Sequence, residues 1–147
     1  DLNRRRLRRA TRRLCRVYGM KFLLDTHSFL WFIEDNPRLS STGRALMEAA
    51  DNQLFLSAAS VWEMAIKISL SKLRLSQPFE VFIPQQLSRN RIELLDITVQ
   101  HAAVVSGLPF HHRDPFDRLL IAQAQTESLP IIGNDGAFDA YAVTRLW

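Results

Sequence analysis

The sequence predicts an α/β protein, an α/β/α sandwich built on a mostly parallel five-stranded sheet covered by helices on both faces. Short apolar runs suited to buried strands alternate with longer stretches at helical spacing, the order that parallel crossovers require. The chain has 147 residues, 47% of them hydrophobic and 23% charged, the balance of one globular domain with one packed core. Lys, Arg, Asp or Glu interrupts every apolar stretch before the roughly 20 residues needed to span a bilayer, so no membrane-spanning helix is expected.

Residues 20–25 read as a buried strand, followed by Phe29, Leu30, Phe32 and Ile33 at helical spacing up to Asn36-Pro37. Residues 41–51 form a second helical stretch, 53–57 a second strand, and 59–70 a helix with Val61, Trp62, Ala65, Ile66 and Leu70 on its apolar side. Residues 78–90 also read as helix, although Pro84 lacks the N–H that an interior position needs. A third strand at 91–96, a short helix at 99–106 and a strong one at 115–128 follow. Residues 130–133 give the fourth strand, 136–140 a turn or short helix, and 143–147 the fifth strand.

Charge divides the chain at Met20. Residues 1–19 hold eight arginines against one acid, a net +7, whereas 20–147 hold 11 Lys and Arg against 14 Asp and Glu, a net −3. The basic total therefore belongs to the extension, and whole-chain charge is no argument for nucleic-acid binding by the body. Met20 reads as the natural start of the domain, with 1–19 an arginine-rich extension foreign to it. The other reading is a basic arm, since Leu7, Ala10, Leu14 and Val17 recur at helical spacing between arginines. No secretory apolar region follows the arginines, and a cytoplasmic location is expected. The single cysteine, Cys15, excludes an intrachain disulfide and any zinc site built on several cysteines.

In open sheets of this class, ligands bind beyond the carboxyl ends of the strands. Asp25 ends the first strand, Glu63 lies near the start of the helix after the second, Asp114 and Asp117 open the helix at Asp-Pro-Phe-Asp-Arg, and Asp135 follows the fourth strand. Each has a local explanation. Asp25 suits a helix cap, Ser60-x-x-Glu63 matches a capping box, Asp114 before Pro115 is a standard N-cap, Asp117 suits the helix dipole, and Asn134-Asp135-Gly136 suits a turn. Taken together, four units of the sheet place an acid on one edge, where carboxylates repel unless cations lie between them. Oxygen ligands without cysteine or clustered histidine suit Mg²⁺ or Mn²⁺, metals that polarise a phosphate oxygen and lower the pKa of bound water.

Four segments carry a family resemblance: Leu-Leu-Asp-Thr-His (23–27), Ser-Ala-Ala-Ser-Val-Trp-Glu (57–63), His-Arg-Asp-Pro-Phe-Asp-Arg-Leu-Leu-Ile-Ala-Gln-Ala (112–124) and Asn-Asp-Gly-Ala-Phe-Asp-Ala-Tyr (134–141). In this order and spacing they resemble the PIN domain, specifically VapC-type toxins of bacterial toxin–antitoxin pairs, over all of 20–147. The resemblance implies a PIN-like ribonuclease whose acidic quartet is Asp25, Glu63, Asp117 and Asp135, with Asp114 either an accessory metal ligand or the helix cap. It departs from the family at Gly133, where Ser or Thr is common two residues before the last acid. A hydroxyl that would orient water is missing there, and Asn134 or a water takes its place.

The expected mechanism assigns Asp25 and Asp117 as the main ligands of one Mg²⁺, with Glu63 and Asp135 completing or bridging a second position. Activated water then cleaves single-stranded RNA to a 5′-phosphate and a 3′-hydroxyl. Lys67, Arg113 and Arg118 are the candidate phosphate contacts, or else ion-pair partners of the acids. Thr26 either supports the metal's surroundings or caps a helix. His111 and His112 rival the acids for general-base work, but adjacent residues point apart, and His27 is expected as a polar contact near Asp25. Trp31, Phe32, Trp62 and Phe79, at helical spacing, are expected in the core or a subunit contact rather than as base-stacking surfaces.

A cognate antitoxin and a homodimer are the implied partners, the antitoxin laying a short helix and an extended segment into the groove with a basic side chain toward the acids. Two other classes compete. A catalytically degraded PIN fold acting as a binding module is favoured by Gly133 and opposed by the intact acids. A phosphoacceptor receiver domain also gathers acids at strand ends, but needs a lysine after its last strand that this chain lacks.

Overall fold

The computed structural model describes residues 19–147. The arginine-rich extension, with its alternative reading as a helical arm, lies outside the described residues but for Gly19. Five strands, β1 (Lys21–Leu24), β2 (Gln53–Ser57), β3 (Ile92–Leu95), β4 (Ile131–Ile132) and β5 (Arg145–Leu146), pair in the order β3-β2-β1-β4-β5. Every pairing is parallel, with Leu24 opposite Leu56 on one side and Ile132 on the other. The helices are α1 (Thr26–Ile33), α2 (Ser41–Glu48), α3 (Ala58–Ser69), α4 (Phe79–Arg89), α5 (Val99–Gly107) and α6 (Pro115–Glu127), with a 3₁₀ turn at Gly136–Ala140.

β1 lies at the centre because its sequence leaves no face for water. Phe22, Leu23 and Leu24 are all fully buried, as a parallel strand covered on both sides requires. Alternation sends them to opposite layers. Phe22 and Leu24 join Phe29, Met47, Leu56 and Met64, whereas Leu23 joins Leu120, Ile121, Ile131 and Phe138. β4 divides likewise, Ile131 into the second layer and Ile132 into the first.

The chain leaves β1 toward β2 and β3, then crosses back so that β4 lies on β1's other side. Connections therefore diverge between β1 and β4, and a crevice opens at their carboxyl ends. The Asp25 N–H bonds to the Ile132 carbonyl at 3.1 Å, fixing that crevice directly.

The predicted elements all form, with shifted ends. α1 begins at Thr26 rather than Phe29, and β4 and β5 hold two residues each. α4 runs through Pro84. That residue is exposed, so the hydrogen bond lost at the preceding turn can be made to water instead. Among the described residues, no helix is long and apolar enough to cross a membrane.

Truncating a central strand residue tests the packing. Leu24→Ala removes a side chain touching β2 and β4 at the heart of one layer, and chemical denaturation should register a loss of about 3 kcal/mol. A loss below about 1 kcal/mol would mean the site lies outside a close-packed core.

Candidate active site

Three of the five acids are held at the sheet's carboxyl edge by the same device. Asp25 caps α1, its Oδ1 accepting from Ser28 N at 2.7 Å. Asp114 caps α6, its Oδ1 accepting from Phe116 N at 2.9 Å and Asp117 N at 3.1 Å, with Pro115 in the first turn. Asp135 caps the 3₁₀ turn, its Oδ1 accepting from Ala137 N at 2.9 Å. An N-cap oxygen satisfies an orphan backbone donor and fixes the carboxylate's direction. The capping and site readings of these residues are therefore compatible, since the cap engages one oxygen of each pair.

Asp25 is buried at the crevice, and Gly133 explains how it fits. A Cβ at Gly133 would stand 2.8 Å from Asp25 Oδ2 and 3.2 Å from its Cγ, so any side chain there would displace the carboxylate from its present position. Glycine at this position makes room for the acid. Arg145 holds the same turn, donating to the Gly133 carbonyl at 3.2 Å while pairing with Asp139 at 2.8 Å.

Glu63 is fixed differently from the capping-box expectation. α3 starts at Ala58 and is capped by Ser57, whose Oγ accepts from Ala59 N, so Ser60 and Glu63 lie inside the helix. Ser60 is buried and hydrogen-bonded to Thr26 Oγ1 at 2.9 Å, and Thr26 Oγ1 donates to Glu63 Oε1 at 2.6 Å. Thr26 thus ties the acid of α3 to the turn that carries Asp25. Lys67, one helical turn on, stands 3.3 Å from Glu63 Oε2.

Asp117, in the first turn of α6, reports how close the acids are. Its pKa is pushed up to about 7, first by burial and then by the charges of Asp114, Glu63, Asp135 and Asp25. Burial also raises Asp25, against the opposing pull of Ser28 hydrogen bonds and His27, and Glu63 adds to the rise. The five carboxyl groups form one electrostatic cluster centred on Asp117. Among the described residues, no three of them already converge as a finished metal-ligand shell. Like charges this close repel one another, and a divalent cation is the kind of group that offsets such repulsion. The donor set, all hard oxygen, fits Mg²⁺ or Mn²⁺.

Of the three candidate cations, only Arg118 departs from both expected roles. Arg113 is exposed beside Asp114, and Lys67 is the ion-pair partner of Glu63. Arg118 is no phosphate contact. It is 5% exposed, donates to the carbonyls of Pro109 at 2.9 Å and Leu108 at 3.1 Å, and lies 4.0 Å from the Phe110 ring centre. Its helical position turns it inward, where it braces the loop before α6. Asn134 is exposed and makes no hydrogen bond among the described residues.

His27 is exposed against Trp31, with ring centres 5.5 Å apart, and His111 packs edge-on to Tyr141. His112 points toward Asp117, its Nε2 lying 3.5 Å from Oδ2. Trp31, Phe32 and Phe79 pack against the core as expected. Trp62 does not. It is 62% exposed and meets Phe116 edge-on at 5.5 Å. Trp62 precedes Glu63 and Phe116 precedes Asp117, so this aromatic pair adjoins the acid cluster. Of the two expected roles, core or subunit contact, the core one fails because the buried side of α3 is held by Ala59, Ser60 and Met64.

A parallel open sheet with coupled acids at helix N-termini along its carboxyl edge defines a class of α/β protein with an acidic site at the topological switch point. The PIN domain family model matches residues 22–143, and the chain belongs to the PIN domain family. It is 31% identical over 114 residues to Ribonuclease VapC22 of Mycobacterium tuberculosis (strain ATCC 25618 / H37Rv), covering 77% of this chain and 85% of that protein. It is 33% identical over 72 residues to Ribonuclease VapC16 of the same organism, a match to 46% of this chain that spans about half, 51%, of the relative. In fold it is similar to VapBC2 from Rickettsia felis bound to a promoter DNA fragment, with a TM-score of 0.64 at 18% identity over 86% of this chain and 98% of that one. It is likewise similar to a toxin–antitoxin complex from Klebsiella pneumoniae, with a TM-score of 0.59 at 16% identity over 86% and 96%. The expected PIN-like sandwich is borne out.

The raised Asp117 pKa carries a sign. Above the ordinary carboxyl pKa of 3.8, the unfolded chain releases this proton while the folded chain keeps it, so stability falls as pH rises toward about 7 and levels off beyond. Asp117→Asn removes the charge, and in metal-free protein it should raise Tm more at about pH 8 than at about pH 5. A gain independent of pH would contradict the assignment.

Proposed function

We propose that this protein is a Mg²⁺- or Mn²⁺-dependent endoribonuclease that hydrolyses single-stranded RNA and acts as the toxin of a toxin–antitoxin pair. The observation that carries the proposal is the Asp117 carboxyl, pushed up to about 7 by burial and by the four acids around it. A cluster that concentrates negative charge at such cost to ionisation is suited to a divalent cation.

Asp25 and Asp117 would be the main residues to hold the cation, with Glu63 and Asp135 supporting it from either side. Asp114, whose Oδ1 is engaged as the cap, contributes chiefly charge. A bound Mg²⁺ or Mn²⁺ supplies Lewis acidity toward a phosphate oxygen and activation of water. The chain's own residues set the geometry. Thr26 holds Glu63 by its Oε1, the Ser28 amide holds Asp25 by its Oδ1, and Gly133 leaves Asp25 the room it needs. Lys67, paired with Glu63, and Arg113, exposed beside Asp114, are the cations that would meet phosphate oxygens. The products are a 5′-phosphate and a 3′-hydroxyl.

Trp62, exposed beside Glu63 and edged by Phe116, offers a stacking face to a base. Only an unpaired base presents its face to a protein ring, which supports a single-stranded substrate. The relatives named as VapC ribonucleases support RNA, and the toxin–antitoxin complex of the same fold supports an antitoxin partner; a homodimer and a cytoplasmic location complete the same reading. The alternative, a degraded PIN fold that only binds, draws on Gly133. Its position against Asp25 favours a packing role for that glycine over a lost function.

The test is cleavage of single-stranded RNA by antitoxin-free protein with and without Mg²⁺. Asp117→Asn should lower the rate at least ~100-fold, the upper range for disrupting a metal's surroundings. Equal rates would point to a contaminating nuclease or a wrong assignment. In the same assay Trp62→Ala should raise KM about tenfold with little change in kcat, the size expected of one lost stacked base.

A further inference from the structure

His112 and Tyr141 form a unit that sequence spacing does not reveal, being 29 residues apart in the chain. The Tyr141 hydroxyl has one proton and two lone pairs. It accepts from the His112 backbone N–H at 3.2 Å and from Arg118 Nη1 at 3.5 Å, groups that can only donate, Nη1 giving its other hydrogen to the Pro109 carbonyl at 2.9 Å. Its remaining partner is His112 Nδ1 at 2.9 Å. With both lone pairs taken, the hydroxyl can only donate, so Nδ1 accepts and the neutral ring's proton resides on Nε2.

That Nε2 is buried and makes no hydrogen bond, and it faces Asp117 Oδ2 at 3.5 Å. The separation is a few tenths of an ångström longer than a good N–H···O bond. The ring is confined by Phe138, with centres 6.3 Å apart and near-perpendicular planes, and by Tyr141 itself at 5.3 Å. We infer that His112 is a positioning residue for Asp117. It presents Nε2–H to Oδ2 and orients the carboxylate for a cation, while Tyr141 sets the tautomer and Arg118 holds the hydroxyl in place. A carboxylate that binds metal is commonly steadied by such a hydrogen bond.

This assignment rests on the reading of Asp117 as a metal ligand and adds to it a link across the site. Tyr141 directly follows the turn that Asp135 caps, so its hydroxyl ties the Asp135 segment to the entrance of α6. The tautomer also excludes His112 Nε2 as a metal ligand, because no lone pair is left on it.

The first test is the ¹⁵N spectrum of the His112 ring in metal-free, full-length protein near neutral pH. Protonated Nε2 with bare Nδ1 is expected, and Tyr141→Phe should convert it to a mixture or to the Nδ1–H form. A wild-type ring with its proton on Nδ1 would overturn the inference. The second test is Mn²⁺ affinity, where His112→Ala should weaken binding about tenfold and His112→Gln, which keeps an N–H near the Nε2 position, should recover most of it. If Asp117→Asn weakens Mn²⁺ binding and His112→Ala does not, this inference fails while the site stands. If Asp117→Asn leaves the affinity unchanged, the metal-site reading fails and this one with it.

Discussion

Most of the site depends on helices that begin at the carboxyl edge of the sheet. Such a helix begins with unsatisfied N–H groups, and short carboxylates are among the best side chains to satisfy them. In a parallel sheet these helix starts all fall on one edge. Ser28, Phe116 and Ala137 supply the amides, and Asp25, Asp114 and Asp135 supply the oxygens. The requirement that makes each acid a good cap also delivers it to the place where the others arrive. Local stability and a shared acidic pocket therefore come from one arrangement, with β1 and β4 at its centre.

The arrangement opposes itself electrostatically. Caps favour ionised acids through the helix dipole, while burial and crowding disfavour the ionised form of Asp117 and of Asp25. Asp117 is where the conflict is strongest, since it is partly buried and surrounded by the other four carboxyl groups. Neutral groups steady the acids without adding charge to the cluster. Thr26, bonded in turn to Ser60, holds Glu63, and Gly133 leaves Asp25 its space. Lys67 relieves part of the charge on the Glu63 side alone.

The strand and helix order was legible because period and punctuation agree along the chain. The run Phe22-Leu23-Leu24 reads as a doubly buried strand, and Asp-Pro opens a helix wherever it caps one. Asp25 and Asp135 were legible for the same reason, as caps after strands, and Asp114 as the cap before Pro115. What escaped is what depends on helix rotation and distant partners. Ser60 and Glu63 matched a capping box in spacing, but Ser57 starts the helix three residues earlier. Arg118 suits a phosphate contact or an ion pair because it follows an acid, yet the face of α6 it shares with Ile121 and Ala122 is buried. The spacing of Trp62 suits the core or a subunit contact equally, and only the rotation of α3 shows that it faces outward. Nothing in a pattern of nearest neighbours links His112 to Tyr141.

The central claim is that acids brought together by caps form one cation site. A crystal structure of the antitoxin-free protein with Mn²⁺, read by anomalous scattering, tests it most directly. The account requires a peak with oxygens of both Asp25 and Asp117 at about 2 Å. A saturating Mn²⁺ concentration that leaves this position without a peak, or a peak elsewhere that neither carboxylate touches, would contradict it.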